Sequence, residues 1–84
     1  MKAKIYDEIR TLVDVNSDFG DRLIPKGTMG AIVECYEQPL EGYAVDLAIP
    51  DERWVSGFDY ENVILYPDQF EVVSLAPKKV HSVA

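Results

Sequence analysis

Apolar side chains recur at every second position along most of this chain, in short runs separated by turn-forming residues. Between residues 9 and 15, Ile9, Thr11, Val13 and Val15 alternate with Arg10, Leu12 and Asp14. That period of two, rich in β-branched residues, predicts a first strand. The run IPKGTMGAIVECYEQPLEGYAVDL, residues 24–47, predicts the organising hairpin. Pro25, Gly27 and Gly30 supply the turn and bend that lead into it. Ala31, Val33 and Cys35 then alternate with Ile32, Glu34 and Tyr36; Gln38, Pro39 and Gly42 interrupt, and Tyr43, Val45, Leu47 and Ile49 resume the pattern. Residues 60–66 predict a fourth strand, with Asn62, Ile64 and Tyr66 on one face and Val63 and Leu65 on the other. Pro67, Asp68 and Gln69 predict a 3₁₀ break, and Phe70, Val72 and Ser74 a fifth strand. The expected fold is all-β: a small five-stranded barrel with Val13, Val33, Val45, Leu47 and Val63 in its core.

The segments between the strands carry the remaining information. Residues 1–8 form a lead-in, where the spacing of Ile5, Ile9 and Leu12 also suits a helical turn. Residues 16–26 are a loop of turn formers (Asn16, Ser17, Asp18, Gly20, Asp21), and Phe19, Leu23 and Ile24 predict that it packs back on the body. Residues 50–59, PDERWVSGFD, are irregular yet hold Trp54, Val55 and Phe58. Such side chains either cap one end of the core or form an exposed contact patch. Residues 1–76 are expected to form the domain and 77–84 a flexible tail, since nothing after Pro77 specifies structure.

A chain of 84 residues holds one domain, and at 48% hydrophobic it has the material for one core. No apolar run approaches the roughly 20 residues of a membrane-spanning helix, so no membrane association is expected. Two lysines near the start precede no apolar segment of signal-peptide type, and the single cysteine fits a cytoplasmic setting. Charge changes the picture more. Glu34, Glu37, Glu41, Asp46, Asp51, Glu52, Asp59 and Glu61 face the single base Arg53 in one window, which therefore carries the whole net charge of −7. A field of that sign repels phosphates and argues against nucleic acid as a partner; it suits a basic protein.

Catalytic chemistry is not expected. Cys35 lies within a strand and the only histidine, His81, in the tail, so no nucleophile and base are held together. Metal-ligand spacings and phosphate-binding fingerprints are missing, so neither metal nor cofactor is expected. Paired carboxylates such as Asp51 with Glu52 read as a solvated rim, because so small a body has little room for a pocket that would split their pKa values.

The stretches YDEIRTLVDV, IPKGTMGAIVECYE, GYAVDL and VILYPDQFEVV resemble a family of short bacterial proteins with an SH3-like barrel and no known function, over about residues 5–73. The resemblance implies a fold and no catalytic residues. The Gly27-x-x-Gly30 turn into a strand also resembles the KOW element of ribosomal and transcription factors. IYDE at residues 5–8 is similar to the ALYDY element of proline-recognising SH3 domains, but the paired tryptophans of their ligand groove are missing. The segment around Trp54 is longer and more aromatic than the family pattern. Two functions follow as expectations: a non-catalytic protein-interaction module of inhibitor, antitoxin or immunity type, or a KOW-like module associated with nucleic acid. The first is favoured by charge, with Asp51, Glu52, Trp54, Phe58, Asp59 and Tyr60 as the partner-binding residues.

Overall fold

The alternating stretches predicted to pair do so. In the computed structural model, which describes residues 1–17 and 22–75, β1 (Glu8–Thr11), β2 (Val15–Asn16), β3 (Leu23–Ile24), β4 (Met29–Tyr36), β5 (Gly42–Pro50), β6 (Phe58–Leu65) and β7 (Phe70–Ser74) follow one another, with a 3₁₀ turn at Pro67–Gln69. Phe19 and the expected tail at 77–84 lie outside the described residues. Among the described residues the protein is all-β. Five strands form one antiparallel sheet in the order β6-β5-β4-β1-β7, and β2 pairs with β3 as a separate two-stranded ribbon. The edge strands β6 and β7 do not pair with each other, so backbone pairing does not close the sheet on itself.

The core gathers on one face of this sheet. Ile9, Ile24, Ile32, Tyr43, Val45, Leu47, Leu65 and Phe70 are fully or almost fully buried, and Val63 nearly so. Val45, Leu47 and Val63 therefore occupy the expected interior, while two other expected core residues do not. Val33 is only half-buried, because the β4–β5 register passes from Ile32↔Val45 to Glu34↔Ala44. Val33 is the extra residue of a β-bulge, which transfers the inward face from Ile32 to Cys35 and breaks a strict period of two. Val13 is 37% exposed, because the first strand ends at Thr11 rather than continuing to residue 15. The Thr11 Oγ1 accepts bonds from the backbone N–H groups of Gly27 (3.0 Å) and Thr28 (3.1 Å). The next N–H, of Leu12, donates to Gln69 O at 2.8 Å, and the chain bends away there. The loop packs back through Ile24, as expected, whereas Leu23 is exposed.

The lead-in is anchored to the sheet. The Tyr43 hydroxyl accepts from the backbone N–H of Lys2 (2.8 Å) and of Ala3 (3.2 Å) and donates to the Glu41 carboxylate. The Lys2 ammonium donates to the carbonyls of Pro67 and Phe70, both at 2.6 Å, and lies 4.7 Å from the centroid of the Phe70 ring. These contacts tie the first residues to the 3₁₀ turn and the start of β7.

At Gly30, β4 crosses β5 too closely for a side chain. A Cβ there would meet Asp46 O at 2.6 Å, the Leu47 Cδ2 at 2.8 Å and the Val45 Cγ1 at 2.9 Å. Gly30→Ala is expected to cost about 1–3 kcal/mol through overpacking. Urea denaturation checks it; an unchanged midpoint would mean that β4 does not approach β5 so closely.

Candidate functional site

The segment around Trp54 forms the tip of the β5–β6 hairpin, since Pro50 pairs with Phe58 and residues 51–57 connect them. Two successive tight turns build the tip. Trp54 N donates to Asp51 O (3.2 Å), Gly57 N to Trp54 O (2.9 Å), and Asp51 N closes the loop on Gly57 O (2.9 Å). Gly57 has φ +85°, a conformation that disfavours any residue with a Cβ. Ser56 Oγ accepts from Phe58 N at 3.3 Å. A short loop so tightly bonded leaves its large side chains no interior to enter. Trp54 is 55% exposed and Val55 fully so. Trp54 and Val55 are therefore exposed rather than buried as a cap on one end of the core.

Asp51 holds the tip together. Its carboxylate accepts from Arg53 N (3.0 Å) and, side by side, from Arg53 Nε (2.9 Å) and Nη2 (2.7 Å). That two-pronged Arg53 contact, with the backbone bond added, pulls the Asp51 carboxyl from an ordinary 3.8 down to about 2. Because the folded value lies below the unfolded one, the contribution is fully present above about pH 4 and fades as pH falls toward 2. Titration of Asp51 followed by carboxyl-carbon NMR should give a midpoint near 2, moving back toward the ordinary value in Arg53→Ala. A wild-type midpoint near the ordinary 3.8 would dissolve the clamp.

Along β6 the strand pleat sorts the remaining candidates. Phe58 and Tyr60 share the outer face, 41% and 58% exposed, with ring centroids 6.4 Å apart. Asp59 points to the other face, where Arg22 Nη2 reaches it at 3.2 Å and reaches Glu61 at 2.7 Å. Ser17 Oγ also donates to Glu61 at 2.6 Å, and that bond, followed by Arg22, holds the Glu61 carboxyl below its usual range. The candidate residues therefore divide. Trp54, Phe58 and Tyr60, with Glu52 at their rim, lie on the tip and outer face. Asp51 is committed to Arg53, and Asp59 holds Arg22, next to β3, against β6. An acidic rim of three carboxylates around Trp54 is thus reduced to Glu52, the one of the three that makes no ion pair among the described residues.

Two exposed residues, Ile64 and Tyr66, lie outside the expected site and continue the outer face of β6 beyond Asn62. Val55, expected in the patch but not among the partner-binding residues, extends the tip. At that far end a shallow groove of about 150 Å³ is lined by Tyr36, Pro39, Leu40, Gly42, Ile64 and Tyr66. The alternation 58, 60, 62, 64, 66 was the available signal.

Cys35 is half-buried, its thiol 3.8 Å from Ala3 O and pushed up in pKa, mainly by burial. No group of three or more potential metal-ligating side chains occurs among the described residues. No helix among them is long and apolar enough to cross a membrane. In comparison with known proteins, no family model, no curated protein and no solved structure matches this chain.

Proposed function

We propose that this chain is a non-catalytic protein-interaction module that presents the β5–β6 tip and the outer face of β6 to a basic protein partner. The observation that carries the reading is the solvent exposure of Trp54 and Val55 on a turn bonded at both ends, next along the chain to the exposed pair Phe58 and Tyr60. Aromatic anchors on a fixed backbone concentrate binding energy at small interfaces, and ordering such a tip costs little on association. The net charge of −7 suits a basic partner. A cytoplasmic inhibitor, antitoxin or immunity protein works by such a contact.

The strand order, the long loop after β1 and the 3₁₀ turn before the last strand support an SH3-like reading of the fold and kinship with the short bacterial SH3-like proteins. The KOW-like alternative needs free bases. Lys2 is spent on the Pro67 and Phe70 carbonyls, Arg10 on Glu71, and Arg22 on Asp59 and Glu61, which leaves Lys4 and Lys26 in the described body. Two lysines are a weak footing on a phosphate backbone.

The test is a photo-crosslinking residue placed at position 55, which is fully exposed and leaves Trp54 in place, in the cells that make the protein, followed by reconstitution with the purified partner. A basic protein captured from position 55, whose binding falls in Trp54→Ala, supports the reading. A partner that binds the Trp54→Ala chain undiminished would place the interface elsewhere.

A further inference from the structure

Beside the aromatic patch, on the same outer face, the sheet carries a cleft of about 420 Å³ lined by Glu8, Met29, Gly30, Ala31, Asp46, Ala48 and Tyr60. Its shape follows from the register. Glu8 of β1 lies opposite Ala31 of β4, and Ala31 lies opposite Asp46 of β5, so a methyl group sits between two carboxylates in one row across the sheet. Ala48 lies opposite Tyr60, so a second methyl group lies at the foot of an aromatic wall. Small side chains at these two positions, flanked by Met29 and Tyr60, make the depression.

The two carboxylates are not neutralised from within. Asp46 Oδ1 accepts from Asn62 Nδ2 at 2.8 Å, a neutral donor that leaves the charge in place and the second oxygen open. Glu8 takes part in no ion pair among the described residues, and Arg10, which lies opposite the lining residue Met29 and two positions from Glu8 on the same strand, is bound to Glu71 at 2.8 Å. The contrast with the hairpin tip is plain: Asp51 and Asp59 have their arginines, and Glu8 and Asp46 have none.

Resting on the interaction reading above, we infer that this cleft receives a lysine or arginine side chain of the protein partner. The aliphatic stem lies over Ala48 and Met29 beside the Tyr60 ring, and the cationic head reaches Glu8 and Asp46 on either side of Ala31. An apolar trough with negative charge at its rim and an aromatic wall matches a side chain that is apolar along its length and cationic at its end. It matches no anion and no uncharged aliphatic chain equally well. The specificity of the module for basic partners then resides in this cleft, while Trp54, Val55 and Phe58 supply the apolar contact beside it.

The probes are N-acetyl-arginine methylamide and N-acetyl-lysine methylamide, with N-acetyl-norleucine methylamide as the uncharged control, titrated into the full chain and followed by amide NMR. Millimolar binding is expected for the cationic probes, with shifts centred on Glu8, Gly30, Ala31, Ala48 and Tyr60. Glu8→Gln and Asp46→Asn should each weaken it by about three- to fivefold, as expected for a charge pair near solvent. Ala48→Leu, which fills the trough and keeps both carboxylates, should abolish it while the dispersed spectrum is retained. Equal shifts with the norleucine probe, shifts centred elsewhere on the surface, or no shifts at tens of millimolar would each overturn the assignment. The probes do not require Trp54, so Trp54→Ala should leave their binding unchanged. A failed titration therefore removes the cleft and leaves the crosslinking result standing, and a failed crosslink leaves the titration standing.

Discussion

Replacing Phe70 by alanine is expected to remove most of the stability of this protein. The Phe70 ring is fully buried and meets the Tyr43 ring edge-on, with centroids 5.3 Å apart and planes at 81°. The Lys2 ammonium covers its outer side and bonds its backbone carbonyl. Truncation therefore opens a cavity where β7, the 3₁₀ turn, the lead-in and β5 converge. Phe→Ala in such a site costs about 3–5 kcal/mol, and a domain of this length has only a few kcal/mol in total. Phe70→Leu, which keeps much of the volume, should cost about 1–1.5 kcal/mol. Urea denaturation followed by circular dichroism measures both. A loss below about 1 kcal/mol in Phe70→Ala would mean that the ring does not lie at this junction.

How much of this was legible in the sequence differs from one element to the next. Regular alternation was read correctly wherever the chain obeys it. Val63 and Leu65 face inward, Ile64 and Tyr66 outward, and the 3₁₀ turn stands at Pro67–Gln69. The failures have local causes. The bulge at Val33 adds one residue to β4 against β5, and the resulting change of face leaves no trace in the period of the apolar residues. The bend after Thr11 depends on bonds to Gly27, Thr28 and Gln69, which are distant in sequence, so Val13 and Val15 looked like a continuation of β1. One error concerns a change of face within a strand and the other where a strand stops, and contacts between strands decide both.

The candidate site shows the same division. Trp54, Phe58 and Tyr60 were recognisable because a short segment rich in Ser, Gly and aromatics is unusual in so small a body. The fate of the acids was not recognisable. Asp51 meets Arg53 two residues away, a contact that only the turn creates, and Asp59 meets Arg22, which lies beside β3 in the separate ribbon. The row Glu8–Ala31–Asp46 combines three strands and exists only once the register is fixed. Charge counted along the sequence spreads the acids over residues 34–61; once the strands pair, Asp51, Asp59 and Glu61 are matched by arginines and, among the described residues, Glu8 and Asp46 are not.

The second large effect is the loss of partner affinity in Trp54→Ala, expected to reach 2 kcal/mol or more, about thirtyfold in Kd. Its indole takes no part in the backbone bonds of the turn, and its side-chain bond to Asp51 is minor beside the Arg53 contacts to the same carboxylate, so its removal should leave the fold intact. Fluorescence of this sole tryptophan should accordingly emit at the red, solvent-exposed end of the range. The most direct measurement pairs urea denaturation with partner affinity on the same Trp54→Ala protein. Stability within about 0.5 kcal/mol of the wild type, together with that loss of affinity, is the expected result. A blue-shifted wild-type emission with destabilisation of about 3–5 kcal/mol would instead make Trp54 part of the core and remove it from the interface.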